Sequence, residues 1–496
     1  MALIAVNDLT FTYPGSYDPI FEHISFRIDT DWKLGLTGRN GRGKTTLLKL
    51  LMGEYAFSGS IVSTVRFAYF PYPVADKSRS TQEVLETICP GLIYWQLVRE
   101  LSELQVDEDT LRRPFNTLSN GEQTKVMLSV MFLKENSFLL IDEPTNHLDA
   151  EGRSAVSRYL KSKKGYIVVS HDRAFLDGCV DHILSINRSD IEVVQGNFSS
   201  WMENKRRQYA FELSQNERLK KDVRRMEKAA RQSRQWADKV ESTKIGNIPH
   251  RDKYNECGGR AYIGEQSRRM QQRRKNLERR QQNAIEEKKG LLRNIEKADR
   301  LKIAQPDYHT NRLVQLRDVT VFYGKHTVCS GITFSVERGD RVALCGINGS
   351  GKSSLIKLIL GEDIPHTGTV EVGSRLVISY VPQDATFLSG MLHDYAAQRG
   401  IDETLLKTIL RKLDFQRVQF EKDMSDFSMG QKKKVLIASS LCERAHLHIW
   451  DEPMNYIDVI SRMQLETLIK QAQPTLLFVE HDRVFTQNMA TKEIFL

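Results

Sequence analysis

Three features of exported or membrane-spanning proteins are missing from this chain of 496 residues. It has no run of about 20 apolar residues, the length that a membrane-spanning helix needs. No basic segment followed by an apolar stretch precedes the first strand-like sequence. The six cysteines stand apart, without the close pairs of metal sites and redox motifs. We therefore expect a protein of a reducing compartment, the cytoplasm, with no membrane association.

Positive charge is concentrated in one part of the chain. The net charge is +9, but residues 201–300 alone hold 28 Lys and Arg against 15 Asp and Glu. The remaining residues together carry a small negative charge. This distribution indicates a polyanion-binding segment in an otherwise ordinary protein.

An internal repeat organises the chain. Six landmarks recur 308 to 311 residues apart, among them the pairs Lys44 and Lys352, and His171 and His481. Each copy alternates short β-branched runs with helical stretches, which predicts a largely parallel sheet covered by helices. The sequence thus predicts an α/β fold with two similar modules, at residues 1–200 and 305–496, joined by an unrepeated segment at 201–304.

Both copies carry the P-loop pattern G-x-x-x-x-G-K-S/T between a predicted strand and a predicted helix. Glycines let backbone N–H groups converge on phosphate oxygens, the lysine reaches the outer phosphates, and the hydroxyl ligates Mg²⁺. Two phosphate sites are therefore predicted. The first P-loop comprises Gly38, Arg39, Asn40, Gly41, Arg42, Gly43, Lys44, Thr45 and Thr46, and the second Gly346, Ile347, Asn348, Gly349, Ser350, Gly351, Lys352, Ser353 and Ser354.

A later strand in each copy ends in an Asp-Glu pair, at 142–143 and at 451–452. Apolar residues thus deliver two carboxylates to the edge of the sheet where ligands bind in such folds. The aspartates suit Mg²⁺ binding, and the glutamates suit the base that activates the attacking water. His171 and His481 follow the next strands and are predicted to contact the γ-phosphate. The predicted catalytic residues are Glu143, Glu452, His171 and His481, and the predicted metal ligands Thr45, Asp142, Ser353, Gln383 and Asp451.

The segments 118–122 (LSNGE) and 427–431 (FSMGQ) resemble the LSGGQ signature of ABC ATPases. In that family two cassettes stack head to tail, and each ATP lies between one P-loop and the other cassette's signature. The resemblance implies one ATP site made from the first P-loop with Ser428 and Gly430. A second site is implied from the second P-loop with Ser119 and Gly121. It also implies that Tyr13 and Tyr323 stack on adenine, that Gln383 is the Q-loop residue, and that Asp149 and Asp458 occupy D-loop positions.

Some positions depart from the family pattern. Tyr72 stands where the Q-loop glutamine is expected in the first copy. Asn120 and Met429 replace signature glycines, and the segment 454–457 (MNYI) replaces the TNHL of 145–148. ATP binding is still expected at both sites, but these changes argue against equal turnover.

The segment between the copies predicts two antiparallel helices. Apolar residues after Trp201 recur at three- and four-residue steps, and those of the returning segment recur seven apart, as in a coiled coil. A first helix of about 40 residues is about 60 Å long. The joining loop, 242–264, mixes cations with aromatics, which suits RNA phosphates and unstacked bases, although a solvated charged hairpin is the alternative. The predicted RNA-binding residues are Lys244, His250, Arg251, Lys253, Tyr254, Arg260 and Tyr262.

A twin cassette in which 196–199 leads into a charged two-helix linker is similar to the ABC-F family of translation factors. ABC-F proteins insert this linker into the exit-tRNA site of the ribosome, toward the peptidyl-transferase centre. The resemblance implies an ATPase monomer with paired cassettes that binds ATP, Mg²⁺ and the bacterial ribosome, with its 23S rRNA and P-site tRNA. The extended tip, the DEPMN variant at 451–455 and the end at Leu496 resemble the branch that dislodges lincosamides, streptogramin A and pleuromutilins.

Three other functions stay open at this stage. The chain resembles an ABC-F factor, so a housekeeping role in translation without drug resistance is the first alternative. An energy subunit of a transporter is the second, although it gives no reason for the basic linker. A DNA-maintenance ATPase is the third, but those proteins insert their coiled coil inside a cassette rather than between two.

Overall fold

The computed structural model describes residues 3–15, 19–146, 148–187, 190–245, 306–324 and 326–496, together with Arg279. The chain divides into two compact units, one made of Met1–Trp201 with Asp299–Leu496 and the other of Met202–Ala298. The first unit contains both copies of the repeat. Among the helices described, none is long and apolar enough to cross a membrane.

The first copy contains a six-stranded sheet of order β5-β6-β7-β3-β8-β9, parallel except for β9, and an antiparallel sheet of order β2-β1-β4. Its strands are β1 (Leu3–Phe11), β2 (Phe21–Asp29), β3 (Lys33–Thr37), β4 (Ser58–Val62), β5 (Arg66–Phe70), β6 (Ser137–Asp142), β7 (Tyr166–Val169), β8 (His182–Ile186) and β9 (Ile191–Gln195). Its helices are α1 (Lys44–Leu51), α2 (Thr81–Ile88), α3 (Tyr94–Glu103), α4 (Asn120–Met131), α5 (Ala150–Ser162) and α6 (Arg173–Cys179).

One long helix, α7 (Phe198–Ile245), follows the first copy. It includes the helix predicted after Trp201 and continues four residues into the segment predicted as the loop at 242–264. The extension is reasonable because the first strong helix breaker in that segment is Gly246. The returning helix and the rest of the predicted tip lie outside the described residues.

The second copy repeats the architecture with a parallel sheet of order β14-β15-β16-β12-β17 and an antiparallel sheet of order β11-β10-β13. Its strands are β10 (Arg312–Tyr323), β11 (His326–Glu337), β12 (Arg341–Cys345), β13 (His366–Val372), β14 (Ile378–Val381), β15 (Leu447–Asp451), β16 (Leu476–Val479) and β17 (Lys492–Phe495). Its helices are α8 (Lys352–Ile359), α9 (Leu392–Arg399), α10 (Glu403–Lys412), α11 (Met429–Cys442), α12 (Val459–Ala472) and α13 (Arg483–Met489). The α/β class predicted from the sequence is confirmed.

The helix after each P-loop is held between the two sheets of its copy. Leu47 and Leu48 of α1 are fully buried, in a cluster that joins Ile4 of the antiparallel sheet to Leu34 and Leu140 of the main sheet. Leu355 and Ile356 of α8 are buried in the same way. Burying such a side chain stabilises the fold by about 1.5–3 kcal/mol. Each P-loop is therefore anchored through a helix that is buried between two sheets.

Candidate ATP sites

The first P-loop has the backbone shape that a phosphate cradle requires. Gly43 has φ of 84°, and a Cβ there would lie 2.6 Å from Ile20 Cγ2 and 2.8 Å from Phe21 Cζ, so only glycine fits. The Lys44 ammonium donates hydrogen bonds to the carbonyl of Gly38 (2.9 Å) and to Asn40 Oδ1 (3.2 Å). Burial lowers the pKa of Lys44. The lysine is thus held within the P-loop, where it is predicted to bind the outer phosphates of ATP.

Two of the predicted Mg²⁺ ligands lie together in each copy, a hydroxyl and an aspartate. Thr45 Oγ1 donates to Asp142 Oδ2 (2.9 Å), and Ser353 is hydrogen-bonded to Asp451 in the same way. A hydroxyl beside a carboxylate offers the oxygen ligands that Mg²⁺ prefers. Within the described part of the chain, Asp451 Oδ1 and the hydroxyl of Ser350 are buried without a hydrogen-bond partner. Both sets of residues therefore fit nucleotide with Mg²⁺.

Glu143 and His171 form a buried pair in the first copy. His171 Nε2 lies 3.0 Å from Glu143 Oε1, but the contact lacks hydrogen-bond geometry, and neither carboxylate oxygen has a donor among the described residues. Burial, with the charge of Asp142, raises the pKa of Glu143 to about 8. Burial and the charge of Lys44 lower the pKa of His171 well below its usual value. An uncharged imidazole thus faces a carboxyl group that retains its proton unusually well.

Glu452, the equivalent residue of the second copy, lies in a hydrogen-bonded network. Its Oε2 accepts from Gln383 Nε2 (2.9 Å) and from Asn455 Nδ2 (2.6 Å), and His481 Nε2 lies 3.5 Å from Oε1. Burial acts to raise the pKa of Glu452, but hydrogen bonds from His481, Asn455 and Gln383 outweigh it and lower the pKa. The two predicted catalytic glutamates therefore have opposite pKa shifts.

The missing Q-loop glutamine accounts for part of this difference. Tyr72, at the position that matches Gln383, lies with its ring 5.2 Å from the Lys134 ammonium. A separate contact in the first copy joins Tyr69 Oη, as the donor, to Asp142 Oδ2 (3.0 Å). Tyr69 was not predicted as a site residue. The available signal was its recurrence as Tyr380, 311 residues later, at the same position before the second Q-loop.

The first P-loop contacts the second copy beside its signature. Asn40 Nδ2 donates to the carbonyl of Tyr456 (2.7 Å), and Arg39 forms an ion pair with Asp414. A Cβ on Gly430 would lie 2.3 Å from that carbonyl and 2.8 Å from Asn40 Nδ2. The structure thus brings the predicted residues of the first P-loop together with the signature glycine of the other copy. Arg173 and Glu466 form a further buried ion pair between the copies.

Both signature serines begin a helix. Ser428 Oγ accepts from the backbone N–H of Gln431 (3.3 Å), and Ser119 Oγ accepts from that of Glu122 (3.2 Å), in each case within a capping box. The N-termini of α4 and α11 lie at the signatures, where the helix dipole favours an anion. This explains why Asn120 and Met429 are tolerated: both are helical residues that follow the cap.

The second P-loop is more open than the first. Lys352 donates to the carbonyls of Gly346 (3.0 Å) and Ile347 (2.7 Å), and the Ile347 side chain is exposed. Burial lowers the pKa of Lys352, and the charge of Asp149 in the first copy opposes this. Among the described residues, no hydrogen bond or ion pair joins this P-loop to Ser119 or Gly121. His147, which corresponds to Tyr456, lies outside the described residues.

The tyrosines predicted to stack on adenine lie beside their own P-loops. Tyr13 Oη is 2.8 Å from Thr46 Oγ1, and its ring packs edge-on against Phe11. Tyr323 is half exposed, with its Oη 3.3 Å from Ser354 Oγ. Both P-loops therefore have an aromatic ring next to the first turn of the following helix.

The segment 454–457 departs from the family pattern through a paired replacement. In the first copy Thr145 Oγ1 and Ser170 Oγ lie 2.9 Å apart. The second copy has Met454 and Glu480 at these positions, and Glu480 Oε1 accepts from the Met454 backbone N–H (2.7 Å). Glu480 was not predicted as a site residue, although aligning the two copies reveals its exchange for Ser170.

The side chains predicted to bind RNA lie outside the described part of the chain. Lys244 lies near the end of α7, but its side chain is outside the described residues. The same holds for the whole of His250, Arg251, Lys253, Tyr254, Arg260 and Tyr262.

Comparisons with known proteins show the family to which the two cassettes belong. The family model described as ABC transporter matches residues 21–146 and 329–455. The chain is 27% identical to the ribosome protection protein VmlR of Bacillus subtilis, over 96% of this chain and 84% of that protein. It is 24% identical to the energy-dependent translational throttle protein EttA of Haemophilus influenzae, over 95% of this chain and 88% of that protein.

Among solved structures, the archaeal ribosome recycling factor aABCE1, in complex with the stalk protein aP1, has the same fold. The TM-score is 0.63 at 19% identity, over 98% of this chain and 87% of that one. The chain thus belongs to the ABC family as an ATPase with two cassettes in one polypeptide, and its resemblance to the ABC-F branch is confirmed.

Proposed function

We propose that this chain is an ATP-gated factor of the bacterial ribosome. In this proposal residues 1–200 and 305–496 are the cassettes, and 201–304 form an arm that enters the exit-tRNA site. The arm then acts near the peptidyl-transferase centre, against 23S rRNA and P-site tRNA. The observation that carries the proposal is the contact of the first P-loop with the opposite cassette, in a chain whose positive excess lies between its cassettes.

The names of the relatives support this choice. One is called a ribosome protection protein and another a translational throttle protein. The basic segment adds a physical reason, because pairing with phosphates releases counterions and favours nucleic acid. The energy subunit of a transporter has no known need for such a basic segment, so this alternative leaves the segment unexplained. We place the protein in the cytoplasm, where ribosomes are.

We assign each catalytic role to residues of this chain. Lys44 and Lys352 bind the outer phosphates, and Glu143 and Glu452 position the attacking water. Mg²⁺, when bound, neutralises charge on the phosphates, and Thr45, Asp142, Ser353, Asp451 and Gln383 are the residues that hold it. Hydrolysis removes the γ-phosphate that joins a P-loop to the opposite signature, so the cassettes separate and the arm is released.

The test uses the variant Glu143→Gln with Glu452→Gln, which retains the P-loops but lacks both bases. We expect it to pellet with ribosomes in ATP, whereas the wild type pellets weakly because it hydrolyses ATP and dissociates. The control adds Lys44→Ala and Lys352→Ala, which removes phosphate binding. Equal recovery of all three proteins in the ribosome pellet contradicts the proposal.

Within this function, we propose resistance to lincosamide, streptogramin A and pleuromutilin antibiotics by ribosome protection. Expression in a drug-sensitive strain should raise the inhibitory concentration of at least one of these drugs. A deletion of 242–264 should abolish the effect while ATP-dependent pelleting persists. Pelleting without any protection favours a housekeeping ABC-F factor instead.

A further inference from the structure

Three consecutive lysines are the fourth to sixth residues of α11, the helix that begins at the second signature. Lys432, Lys433 and Lys434 have exposed fractions of 7%, 0% and 6%. Lysine is almost never fully buried without a partner, and a position near the N-terminus of a helix offers cations no favourable interaction with the helix dipole. The stability of the helix therefore does not explain them, and their contacts must.

Lys433 contacts the backbone beside Gln383 and Glu452, two predicted site residues of its own cassette. Its ammonium donates to the carbonyls of Pro382 (2.8 Å), Glu452 (3.1 Å) and Asp451 (3.5 Å). An ammonium has three N–H donors and no acceptor, so these carbonyls account for its whole capacity. Pro382 directly precedes Gln383, the residue that donates to Glu452. Lys433 thus holds the backbone on both sides of that side-chain contact.

The backbone of Glu452 needs such support. Its φ is 47°, in the left-handed region that residues other than glycine seldom adopt. The carbonyls on either side of this φ angle, those of Asp451 and Glu452, both accept from Lys433. The ammonium therefore favours the conformation that places the Glu452 carboxylate in the second ATP site.

The two neighbouring lysines have different partners. Lys432 donates to the carbonyl of Thr386 (3.4 Å), and Lys434 donates to that of Leu413 (3.0 Å) and to Asp458 Oδ2 (3.3 Å). Of the three, Lys433 alone reaches the residues that carry the second site's catalytic side chains. Lys432 is therefore a matched control for the loss of a buried lysine from the adjacent position of the same helix.

The first cassette does not share this contact. Thr124 corresponds to Lys433, and its hydroxyl donates to the carbonyl of Asn120 (2.9 Å) within the same helix. Glu143 has the same left-handed backbone, with φ of 51°, yet in the described part of the chain its carboxylate lacks the hydrogen bonds that hold Glu452. The contact is thus a property of the second cassette and not of the repeated fold.

The same helix also begins at the first ATP site, because Gly430 lies against Asn40 and Tyr456. We propose that Lys433 is a positioning residue for hydrolysis at the second ATP site. It holds the carbonyls of Pro382, Asp451 and Glu452, and so makes α11 the link through which closure of the first site acts on hydrolysis at the second.

The positioning role is tested on the full chain with one site silenced. Glu143→Gln leaves hydrolysis to the second site, and Glu452→Gln leaves it to the first. In the Glu143→Gln background, Lys433→Met should lower kcat about tenfold or more and change KM for ATP by less than about threefold. The kcat of Lys433→Gln, which retains two N–H donors, should fall between the kcat of the parental protein and that of Lys433→Met. Lys432→Met in this background, and Lys433→Met in the Glu452→Gln background, should each retain kcat within about twofold.

Several outcomes overturn the proposal. Equal losses at both sites mean that Lys433 only supports the signature helix, and a rise in KM alone means that it acts on binding. An unchanged kcat at the second site also contradicts it. If Lys433→Met fails to give a cooperative thermal transition, Lys433→Gln decides: a folded variant with parental kcat overturns the positioning role, and a loss confined to the second site supports it.

The link itself is tested by disabling the first P-loop with Lys44→Ala in the Glu143→Gln background. This change should alter second-site kcat several-fold when Lys433 is present, since closure at Gly430 is lost. With Lys433→Gln the same change should have a smaller effect on second-site kcat. An effect of equal size in both proteins overturns the link.

Discussion

Asn40 of the first P-loop donates a hydrogen bond from Nδ2 to the backbone carbonyl of Tyr456, 2.7 Å away, although 416 positions separate the two residues. The Oδ1 of the same amide accepts from Lys44. One side chain therefore joins Lys44, the predicted phosphate-binding lysine of the first cassette, to the predicted D-loop segment of the second. Substituting residues at this contact, and measuring ATP turnover at the first site, therefore tests how much that site depends on its closure.

The ion pair between Arg39 and Asp414 should stabilise this closure modestly. Both side chains are about a third exposed, at 31% and 30%, so a coupling of about 1 kcal/mol or less is expected. Arg39→Glu and Asp414→Arg should each lower first-site turnover, measured in a Glu452→Gln background, and the double variant should recover it. Ile347→Arg, at the matching position of the second P-loop, is the control and should have little effect. A double variant no better than the worse single one contradicts the pairing.

Gly430→Ala should block closure at the first site by steric overlap. The new Cβ would lie 2.3 Å from the Tyr456 carbonyl oxygen, a distance that real Cβ contacts do not show. First-site turnover is expected to fall about tenfold or more, because the P-loop cannot approach the signature. The control is Met429→Ala, one residue earlier and only partly buried. Steady-state hydrolysis in the Glu452→Gln background measures both, and similar rates for the two variants contradict the steric argument.

Glu480→Ser should destabilise the second cassette, since it removes the acceptor for the Met454 backbone N–H. An unsatisfied buried donor costs about 1–3 kcal/mol of unfolding free energy. Adding Met454→Thr recreates the hydroxyl pair of Thr145 and Ser170, and should restore part of the loss. Denaturant unfolding measures the change, with Ser170→Ala as the matched removal in the first cassette. A double variant less stable than Glu480→Ser shows that the two pairs are not interchangeable.

His448 should make stability fall in acid. Burial lowers its pKa to about 4, from 6.5 for an exposed histidine, so the unfolded chain binds more protons between these two pH values. The destabilisation by His448 is absent above pH 6.5. It grows as the pH falls, and near pH 4 the free energy of unfolding is lower by about 3 kcal/mol. His448→Leu, which copies Leu139 of the first cassette, should flatten this part of the pH profile of the unfolding free energy. Identical slopes for both proteins contradict the assignment.

Much of the fold and of the site follows from local patterns. The strand predicted before the Asp-Glu pair at 142–143 is Ser137–Asp142, and the strand predicted before His171 is Tyr166–Val169. The helices predicted after the two P-loops are present and begin at Lys44 and Lys352. Such features depend on residues close together in the chain, where glycine, apolar runs and caps act directly. The repeat then extends each assignment to the second copy.

The family resemblance predicted that the first P-loop meets the second signature, but the individual contacts between distant residues were not predictable. The pattern Asp-Glu is the same in both copies, yet Glu143 lacks a hydrogen-bond donor among the described residues, whereas Glu452 accepts from Gln383 and Asn455. Lys433 reads as an ordinary helical lysine, and its three carbonyl partners depend on how α11 packs against the Q-loop. Packing of this kind joins segments whose separation in sequence carries no pattern.

The sequence by itself determined that the protein has two P-loop modules and where the positive charge lies, and it predicted which groups each module offers to ATP and Mg²⁺. These follow from composition and short-range spacing. Only the tertiary structure decided that Asn40 contacts Tyr456, that Arg39 contacts Asp414, and that the two glutamates differ in pKa. Burial and long-range hydrogen bonds control those properties, and both exist only once the chain has folded.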